Sequence, residues 1–187
     1  MISGVINSSQ SNPFLLSGFY ASNSFDERFT LWDDLVKVNP GNSMPWLVVG
    51  DFNCCRFHSD KIGGNAVPTS RMATFNNFIF ETNLLELPSS GLFHTWNNMR
   101  TDNPIHLRLD RMLDNEAWVS SFLNSCYKVA NSSISNHTPL ILKPVTDMRS
   151  SPRFMFKNFW CQIFEFWSIF IPIFEAPVQG NPIISLY

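Results

Sequence analysis

The chain has 187 residues, 44% of them hydrophobic, so it can form one packed domain with a short appendage and is not typical of a disordered protein. Thirteen basic and fifteen acidic side chains give a net charge of −2, which excludes nucleic-acid binding through a strong overall positive field. The four cysteines form no CxxC pair and no histidine lies at zinc-like spacing, which argues against a thiolate metal site or a disulfide framework and favours a reducing, intracellular setting.

The first half of the chain alternates predicted strands and helices. Residues 14–21 are typical of a β-strand, and a helix follows until the turn at residues 39–42 ends it. The apolar residues that predict this helix by their spacing are Phe25, Phe29, Trp32 and Val36. Residues 46–52 then form a strand that is apolar on both faces, which predicts a sheet covered on both sides.

The second half continues this mixture of elements. After a loop at residues 54–69, Ser70 can cap a helix that carries Met72, Phe75 and Ile79 on one stripe. The other predicted elements are strands at residues 91–96, 105–113, 127–133 and 139–144 and a short helix at residues 116–123. No internal repeat is visible, and the pattern predicts an α/β or α+β fold.

The composition changes at residues 146–152. The segment 151–187 contains seven Phe, two Trp and one Tyr, about twice the aromatic share of the whole chain, which is 14%. We therefore predict a domain over residues 1–146 and an aromatic tail over residues 147–187, which should pack on the domain or on a partner.

The ends of the chain also bear on where the protein resides. Residues 1–7 have neither a basic region nor a long apolar region, so no secretory signal is predicted. The most apolar segment, residues 166–174, is about half as long as the roughly 20 residues that a membrane helix needs, and it contains Pro172. We expect neither secretion nor membrane insertion.

Three segments place polar groups where predicted strands end or run. Asp51 and Asn53 follow an apolar strand and share a face, because residues i and i+2 of a strand project to the same side. Arg108 and Asp110 alternate with leucines, and His137 lies before the closing strand. Each segment alone also fits a structural role, since a carboxylate after a strand can occupy a turn and an isolated histidine is often structural.

Together, in this order and spacing, the three segments resemble the endonuclease/exonuclease/phosphatase superfamily of DNase-I-like and AP-endonuclease-like phosphodiesterases. The sequence is most similar to the endonuclease domain of plant LINE-type non-LTR retrotransposons. The motifs that carry this resemblance are "YASN" at residues 20–23, "PWLVVGDFN", "DKIGG", "GLFHTWNN", "RLDRMLDN" and "RFMFKNFW" followed by "PVQGNP". The resemblance implies an α/β (α+β) fold with two packed β-sheets flanked by helices, here an incomplete four-layer β-sandwich.

The resemblance implies catalytic roles for four residues. His137 would act as a general base or stabilise the charge of the phosphorane, and Asp110 would accept its other ring N–H. Asp51 resembles the carboxylate that positions or activates the attacking water, and Asn53 resembles the amide that binds a phosphate oxygen.

Five further residues are predicted to bind the substrate. By the same resemblance, Tyr20 and Asn23 would contact the phosphate. Lys61 and Arg108 are predicted to contact the DNA backbone, and Trp96 to stack near the DNA. An alternative stays open for the last three, in which Trp96 belongs to the core and both cations are solvated.

The resemblance also implies Mg²⁺ as cofactor, DNA as partner, no small-molecule cofactor and a nuclear location. The family motif Ser-Asp-His is Ser-Asn-His here, so Asn136 stands at a metal-binding position with a weaker, neutral ligand. The family's metal-binding glutamate would precede Tyr20, and we expect this chain to lack it. We therefore expect a truncated domain that does not nick DNA and that exposes apolar surface and a sheet edge, which favour self-association.

Two function hypotheses remain, together with a third that the sequence disfavours. The first is the remnant of a metal-dependent phosphodiesterase that nicks DNA in a LINE-type retrotransposon. The second is a non-catalytic remnant that binds nucleic acid or a protein partner. The third, a carrier or small-molecule-binding α/β protein, lacks a P-loop or dinucleotide motif.

Overall fold

The secondary structure is described by a computed structural model for residues 1–8, 11–131, 135–143 and 163–175. The chain divides into two units, Met1–Ser150 and Ser151–Tyr187. The strands are β1 (Ile2–Ser8), β2 (Ser11–Tyr20), β3 (Trp46–Asp51), β4 (Lys61–Ile62), β5 (Leu85–Glu86), β6 (Ser89–Gly91), β7 (Trp96–Asn97), β8 (His106–Leu107), β9 (Asp110–Asp114), β10 (Cys126–Val129) and β11 (Leu140–Lys143). The helices are α1 (Glu27–Val38), α2 (Thr69–Glu81), α3 (Glu116–Ser121) and α4 (Phe164–Glu175), with a 3₁₀ turn at His58–Asp60.

The main sheet of the first unit is mixed and has the strand order β1-β2-β3-β9-β5. Strands β2 and β3 run parallel and are joined by α1, while the other pairs are antiparallel. Along β3, Trp46 and Val48 point to one face and Leu47 to the other, as the two-residue period of a strand requires. This strand is therefore buried from both sides, as predicted.

Each face of the main sheet is covered by a different layer. On one face, Trp32 of α1 stacks on Phe75 and Phe78 of α2, and these rings pack in one buried cluster with Trp46. On the other face, α3 and the three-stranded sheet β11-β10-β6 bury Trp118, Tyr127 and Val129 against Leu47 and Met112. The prediction of a mixed α/β fold with packed sheets flanked by helices is confirmed.

A third, small sheet has the strand order β4-β8-β7. Its strand β7 also forms an isolated antiparallel bridge, between Trp96 and His137. This sheet therefore connects the segment that carries His137 to the rest of the unit.

The helices differ in detail from the sequence prediction. The stripe of α1 that is buried contains Arg28, Trp32 and Leu35, whereas Phe29 and Val36 are exposed, so the predicted apolar stripe was wrong by one residue at two positions. One reason is that backbone carbonyls accept hydrogen bonds from Arg28 and so compensate the cost of burying its charge. A pattern of hydropathy along the sequence does not show such partners. Helix α2 follows Pro68 and has no side-chain cap, so Ser70 is not its cap.

The strands differ as well. Strands β1, β4 and β5 were not predicted. The predicted strand at residues 91–96 is irregular between the end of β6 and the start of β7, and the predicted strand at residues 105–113 is divided into β8 and β9. The division arises because the intervening backbone pairs elsewhere: Arg108 N–H donates to the carbonyl of Asp60, and Leu109 N–H donates to the hydroxyl of Thr95. Strand β1 is an edge of the main sheet and exposes Ile2, Val5 and Ile6.

In the second unit, the structure describes α4, which contains Pro172. Its Trp167, Ile169 and Ile171 are exposed. Within the described residues of both units, we find no helix with the length and apolar character needed to cross a membrane.

Candidate active site

Two strand ends bring the aspartates of the site together. Asp51 is the last residue of β3 and Asp110 is the first residue of β9, and the two are Cα partners in the antiparallel ladder. His137 reaches them through its bridge to Trp96. The sheet topology therefore brings together residues that are far apart in the sequence.

The His137 ring lies between the two carboxylates. Its Nδ1 is 3.0 Å from Oδ2 and 3.3 Å from Oδ1 of Asp110, and its Nε2 is 3.9 Å from Oδ2 of Asp51. Because an ionised carboxylate only accepts hydrogen bonds, Nδ1 carries the proton of the neutral ring and Nε2 carries the lone pair. The distance from Nε2 to Asp51 is too long for a direct hydrogen bond, so this nitrogen remains available.

Asn53 fixes the orientation of Asp51. Its backbone N–H donates to Oδ1 of Asp51 at 2.8 Å, and its positive φ of 48° is one that asparagine adopts more readily than most residues. The side-chain Nδ2 donates to the carbonyl of Ala21 at 3.0 Å and lies 3.4 Å from Oδ2 of Asp51. A phosphate oxygen would therefore compete with the longer, weaker of these two contacts.

Asp51 is buried, and this burial raises the pKa of its carboxyl. The negative charge of Asp110 acts in the same direction, while the N–H of Asn53 and the charges of His137 and Arg28 oppose it. One ligand atom from each of Asp51, Asp110 and His137 lies within 4.8 Å of the others. A divalent cation would relieve the repulsion between the carboxylates, so this set of donors fits a metal ion.

Thr95 holds the two halves of the site together, and sequence reasoning did not single it out. It is fully buried, and its Oγ1 accepts hydrogen bonds from the backbone N–H of Leu109 at 3.0 Å and of Asp110 at 2.9 Å. Its carbonyl accepts the N–H of Thr138 at 2.8 Å. A threonine in a predicted strand carries no signal for such a role, because threonine is also an ordinary strand former.

Arg28 is a second residue that the sequence did not reveal. Only 6% of it is exposed, and its Nη1 donates to the carbonyls of Ser22 at 3.0 Å and Asn23 at 3.3 Å. These carbonyls follow the end of β2, next to Asp51 in the sheet register. Arg28 therefore holds the loop that carries Asn23, one of the predicted substrate contacts.

Three of the predicted substrate-binding residues lie on accessible positions. Tyr20 is 67% exposed and is the Cα partner of Asp51, and Asn23 is exposed in the loop that follows. Lys61 is partly buried on β4, opposite Leu107 of β8. Tyr20 is thus placed beside Asp51, and Asn23 follows it by three residues.

Arg108 has a different environment from the predicted one. It is 7% exposed, and its Nη2 donates to Oε1 of Glu86 at 2.7 Å and to the hydroxyl of Tyr127 at 3.0 Å. It is therefore neither a solvated cation nor an exposed contact for a DNA backbone. The prediction for Arg108 was wrong because its partner Glu86 lies on β5, a short strand that was not predicted.

The two remaining predicted residues flank His137. Trp96 is partly buried and packs beside the cluster of Cys55, Met72 and Leu109. Asn136 is exposed, and its carbonyl accepts the N–H of Asn97 at 2.9 Å.

Comparisons with known proteins show the fold. No family model matches the chain, and no curated protein matches it. Among solved structures, it is similar to the endonuclease domain of TRAS1, a telomere-specific non-LTR retrotransposon, with a TM-score of 0.58 and 14% identity over 79% of this chain and 64% of that one.

Two further solved structures are similar. The beta toxin from Staphylococcus aureus has a TM-score of 0.53 and 12% identity over 76% of this chain and 56% of that one. The 3'-5' exonuclease from Neisseria meningitidis has a TM-score of 0.50 and 16% identity over 70% of this chain and 60% of that one. The chain spans less than two thirds of the length of each of these structures. Its sheets, helices and these likenesses together show that the chain has a DNase-I-like fold, which it shares with the TRAS1 endonuclease domain and the Neisseria exonuclease.

Proposed function

We propose that this chain carries a metal-dependent phosphodiesterase domain that acts on DNA, of the kind found in LINE-type retrotransposons, and that its turnover is very low. The observation that carries this proposal is the His137 ring bound to Asp110 with Asp51 beside it at the strand ends. We also propose a nuclear location. This location and the choice of DNA as substrate rest on the likeness to the retrotransposon endonuclease domain.

His137 would take the proton of the attacking water. Asp110 accepts the Nδ1–H, so it holds the tautomer in which Nε2 is the base and stabilises the imidazolium that forms. Asp51 lies 3.9 Å from Nε2 and is held by Asn53, so it can orient a water between them. Tyr20 and Asn23 would contact the phosphate from the adjacent strand end.

Asp51 and Asp110 would hold the Mg²⁺ ion through carboxylate oxygens, the ligands that this ion prefers. When bound, the ion would neutralise charge on the phosphate group. Within residues 1–8, 11–131, 135–143 and 163–175, no glutamate joins this cluster, and Asn136 offers only a neutral amide. Each loss of about 1.36 kcal/mol of transition-state stabilisation reduces the rate tenfold, so weak metal binding makes turnover very low.

A second candidate function is non-catalytic binding of nucleic acid or a protein partner. Asn136 favours it, because an amide at this position weakens the metal site without removing the surface beside it. The two candidates differ in whether the aspartates still bind a divalent ion.

The test measures metal binding and turnover separately. In Mn²⁺ titrations followed by electron paramagnetic resonance, the chain should bind an ion, Asp51→Asn should weaken this binding tenfold or more, and Asp34→Asn should leave it unchanged. Asp34 is a suitable control because it is an exposed aspartate on α1 that pairs with Lys37. Equal binding by both variants would contradict a metal site at Asp51.

With Mg²⁺ and supercoiled plasmid, we expect the chain to nick DNA no faster than a His137→Ala variant does. Robust nicking that Asp51→Ala abolishes would overturn the low turnover and leave the phosphodiesterase assignment in place. DNA binding by the chain without any binding of divalent ions would favour the second candidate.

A further inference from the structure

A cavity of about 250 Å³ lies beside the strand that carries Trp96, the bridge partner of His137. Its walls include two imidazoles, an amide, a hydroxyl and two larger aromatic rings. These belong to Phe93, His94, Trp96, Asn97, His106 and Thr138. The residues that line it include no carboxylate and no cysteine, so its chemistry differs from that of the aspartate cluster.

His94, which lines this cavity, has a ring nitrogen without a partner in the described part of the chain. Its Nε2 is buried and has no hydrogen-bond partner among the described residues. A hydrogen bond to the backbone of Ser59 raises the pKa of His94, but burial has the larger effect and lowers it, so the neutral ring with one lone pair predominates near pH 7.

His106 lies at a distance suited to sharing a ligand with His94. The ring centroids are 6.0 Å apart and the planes are tilted by 47°. Two imidazoles that bind one zinc ion with Zn–N distances of about 2.1 Å have centroids roughly 5 to 6 Å apart. His106 is exposed on β8, so its side chain has the freedom to turn towards the cavity.

We propose that His94 and His106 bind a borderline transition-metal ion such as Zn²⁺ in this cavity. The carbonyl of Ser59 would orient His94, as partners of metal-bound histidines commonly do. The hydroxyl of Thr138 donates its proton to the carbonyl of Thr95, so its oxygen lone pairs remain for the ion or for a water bound to it.

The two sites select different ions. Asp51 and Asp110 offer carboxylate oxygens, which suit Mg²⁺, whereas imidazole nitrogens suit Zn²⁺, Cu²⁺ and Ni²⁺. Because the residues that line the cavity carry no negative charge, we expect an ion bound there to exchange with solvent. This site is independent of the proposed phosphodiesterase function.

The test is calorimetric titration of the full chain with Zn²⁺ in excess Mg²⁺. It uses a His137→Ala background, which removes the imidazole of the aspartate cluster. We expect about one equivalent of Zn²⁺ to bind. Adding His106→Ala should weaken binding at least tenfold, while adding His58→Ala should not change it, because His58 is exposed and does not line the cavity.

Two outcomes would overturn the proposal. One is that His106→Ala binds Zn²⁺ as tightly as His58→Ala does, and the other is that the His137→Ala background binds none. His106 is exposed, so its replacement should leave the thermal melting curve unchanged, and circular dichroism checks this. With Co²⁺ as the probe, we expect the spectrum of nitrogen and oxygen ligands, and a thiolate charge-transfer band would place the ion on a cysteine and refute the site.

Discussion

Two groups of charged residues on the main sheet differ in how their charges are balanced. At the end of β3, Asp51 lies beside a second carboxylate, and burial together with that charge raises its pKa. On β5, burial alone would raise the pKa of Glu86, but the guanidinium groups of Arg111, Arg108 and Arg56 lower it to about 2. We call Glu86 and its arginines the balanced group, and Asp51 and Asp110 the unbalanced group. The balanced group stabilises the fold, whereas the uncompensated charge of the unbalanced group is typical of functional sites.

The balanced group forms a continuous network. Oε1 of Glu86 lies 2.7 Å from Arg108 and 2.9 Å from Arg111, and Oε2 lies 2.9 Å from Arg56. Arg111 also pairs with Asp60 at 2.6 Å. The network therefore joins β5, β9 and the 3₁₀ turn.

Removing the central carboxylate of this network should have the largest effect on stability. Because Glu86→Gln leaves three arginines without their shared partner, we expect a loss of roughly 3 to 5 kcal/mol in the free energy of unfolding, measured by urea denaturation. Glu81→Gln, at an exposed position at the end of α2, is the control and should change it by less than about 0.5 kcal/mol. A loss below about 1 kcal/mol for Glu86→Gln would show that the network does not stabilise the fold.

The same carboxylate should govern the acid side of the pH–stability profile. The folded pKa of Glu86, about 2, lies below the ordinary value of 4.5, so its stabilisation is complete above the unfolded pKa and is lost as the pH falls from about 5 to about 2. The loss should be about 3 kcal/mol, measured as urea denaturation at a series of pH values. Glu86→Gln should flatten this part of the profile, and an equally steep profile in the variant would assign it to other groups.

Replacing Thr95 should have a smaller effect that reaches the unbalanced group. Thr95→Val keeps the shape but leaves the N–H groups of Leu109 and Asp110 without their acceptor, which should cost about 1 to 3 kcal/mol in the free energy of unfolding. Thr95→Ser keeps the hydroxyl and should recover most of this loss. If both variants unfold at the same urea concentration, the hydroxyl does not hold the strands together.

Asp51→Asn should change the free energy of unfolding least, and it should raise this free energy where Glu86→Gln lowers it. A carboxyl whose folded pKa is raised destabilises the fold above that pKa, because its charged form is disfavoured there. An amide removes this charge and can still accept the N–H of Asn53, so we expect a gain of about 0.5 to 1 kcal/mol at pH 7 by urea denaturation. A clear loss of stability would mean that Asp51 is balanced after all.

The pattern around Asp51 could be predicted from the sequence because it depends on local geometry. The apolar residues of β3 predict a strand that is buried on both faces. Because side chains alternate along a strand, Asp51 and Asn53 are expected on one side of its end. The same regularity predicted the mixed α/β fold. His137 could be associated with Asp110 only through the family resemblance, since its position depends on a single bridge to Trp96.

The balanced network could not be predicted, because each member depends on partners that are distant in sequence. Strand β5 has only two residues, too few to show a period, so Glu86 gave no signal. Arg108 alternates with leucines and therefore reads as an exposed cation, yet its partner lies 22 residues away. Arg28 is a similar case, since backbone carbonyls of a loop compensate its burial and no hydropathy scale registers them.

The pairing of β3 with β9 also determines when the site can form. Asp51 meets Asp110 only through this long-range ladder, and His137 lies 86 positions after Asp51. At about 5 to 20 residues per second, a ribosome adds that stretch in roughly 4 to 17 seconds, during which α1 and α2 can already have formed from local contacts. The nascent chain can therefore acquire helical structure well before it acquires the aspartate cluster, and a ribosome-bound product that ends before residue 137 lacks the imidazole between the two carboxylates.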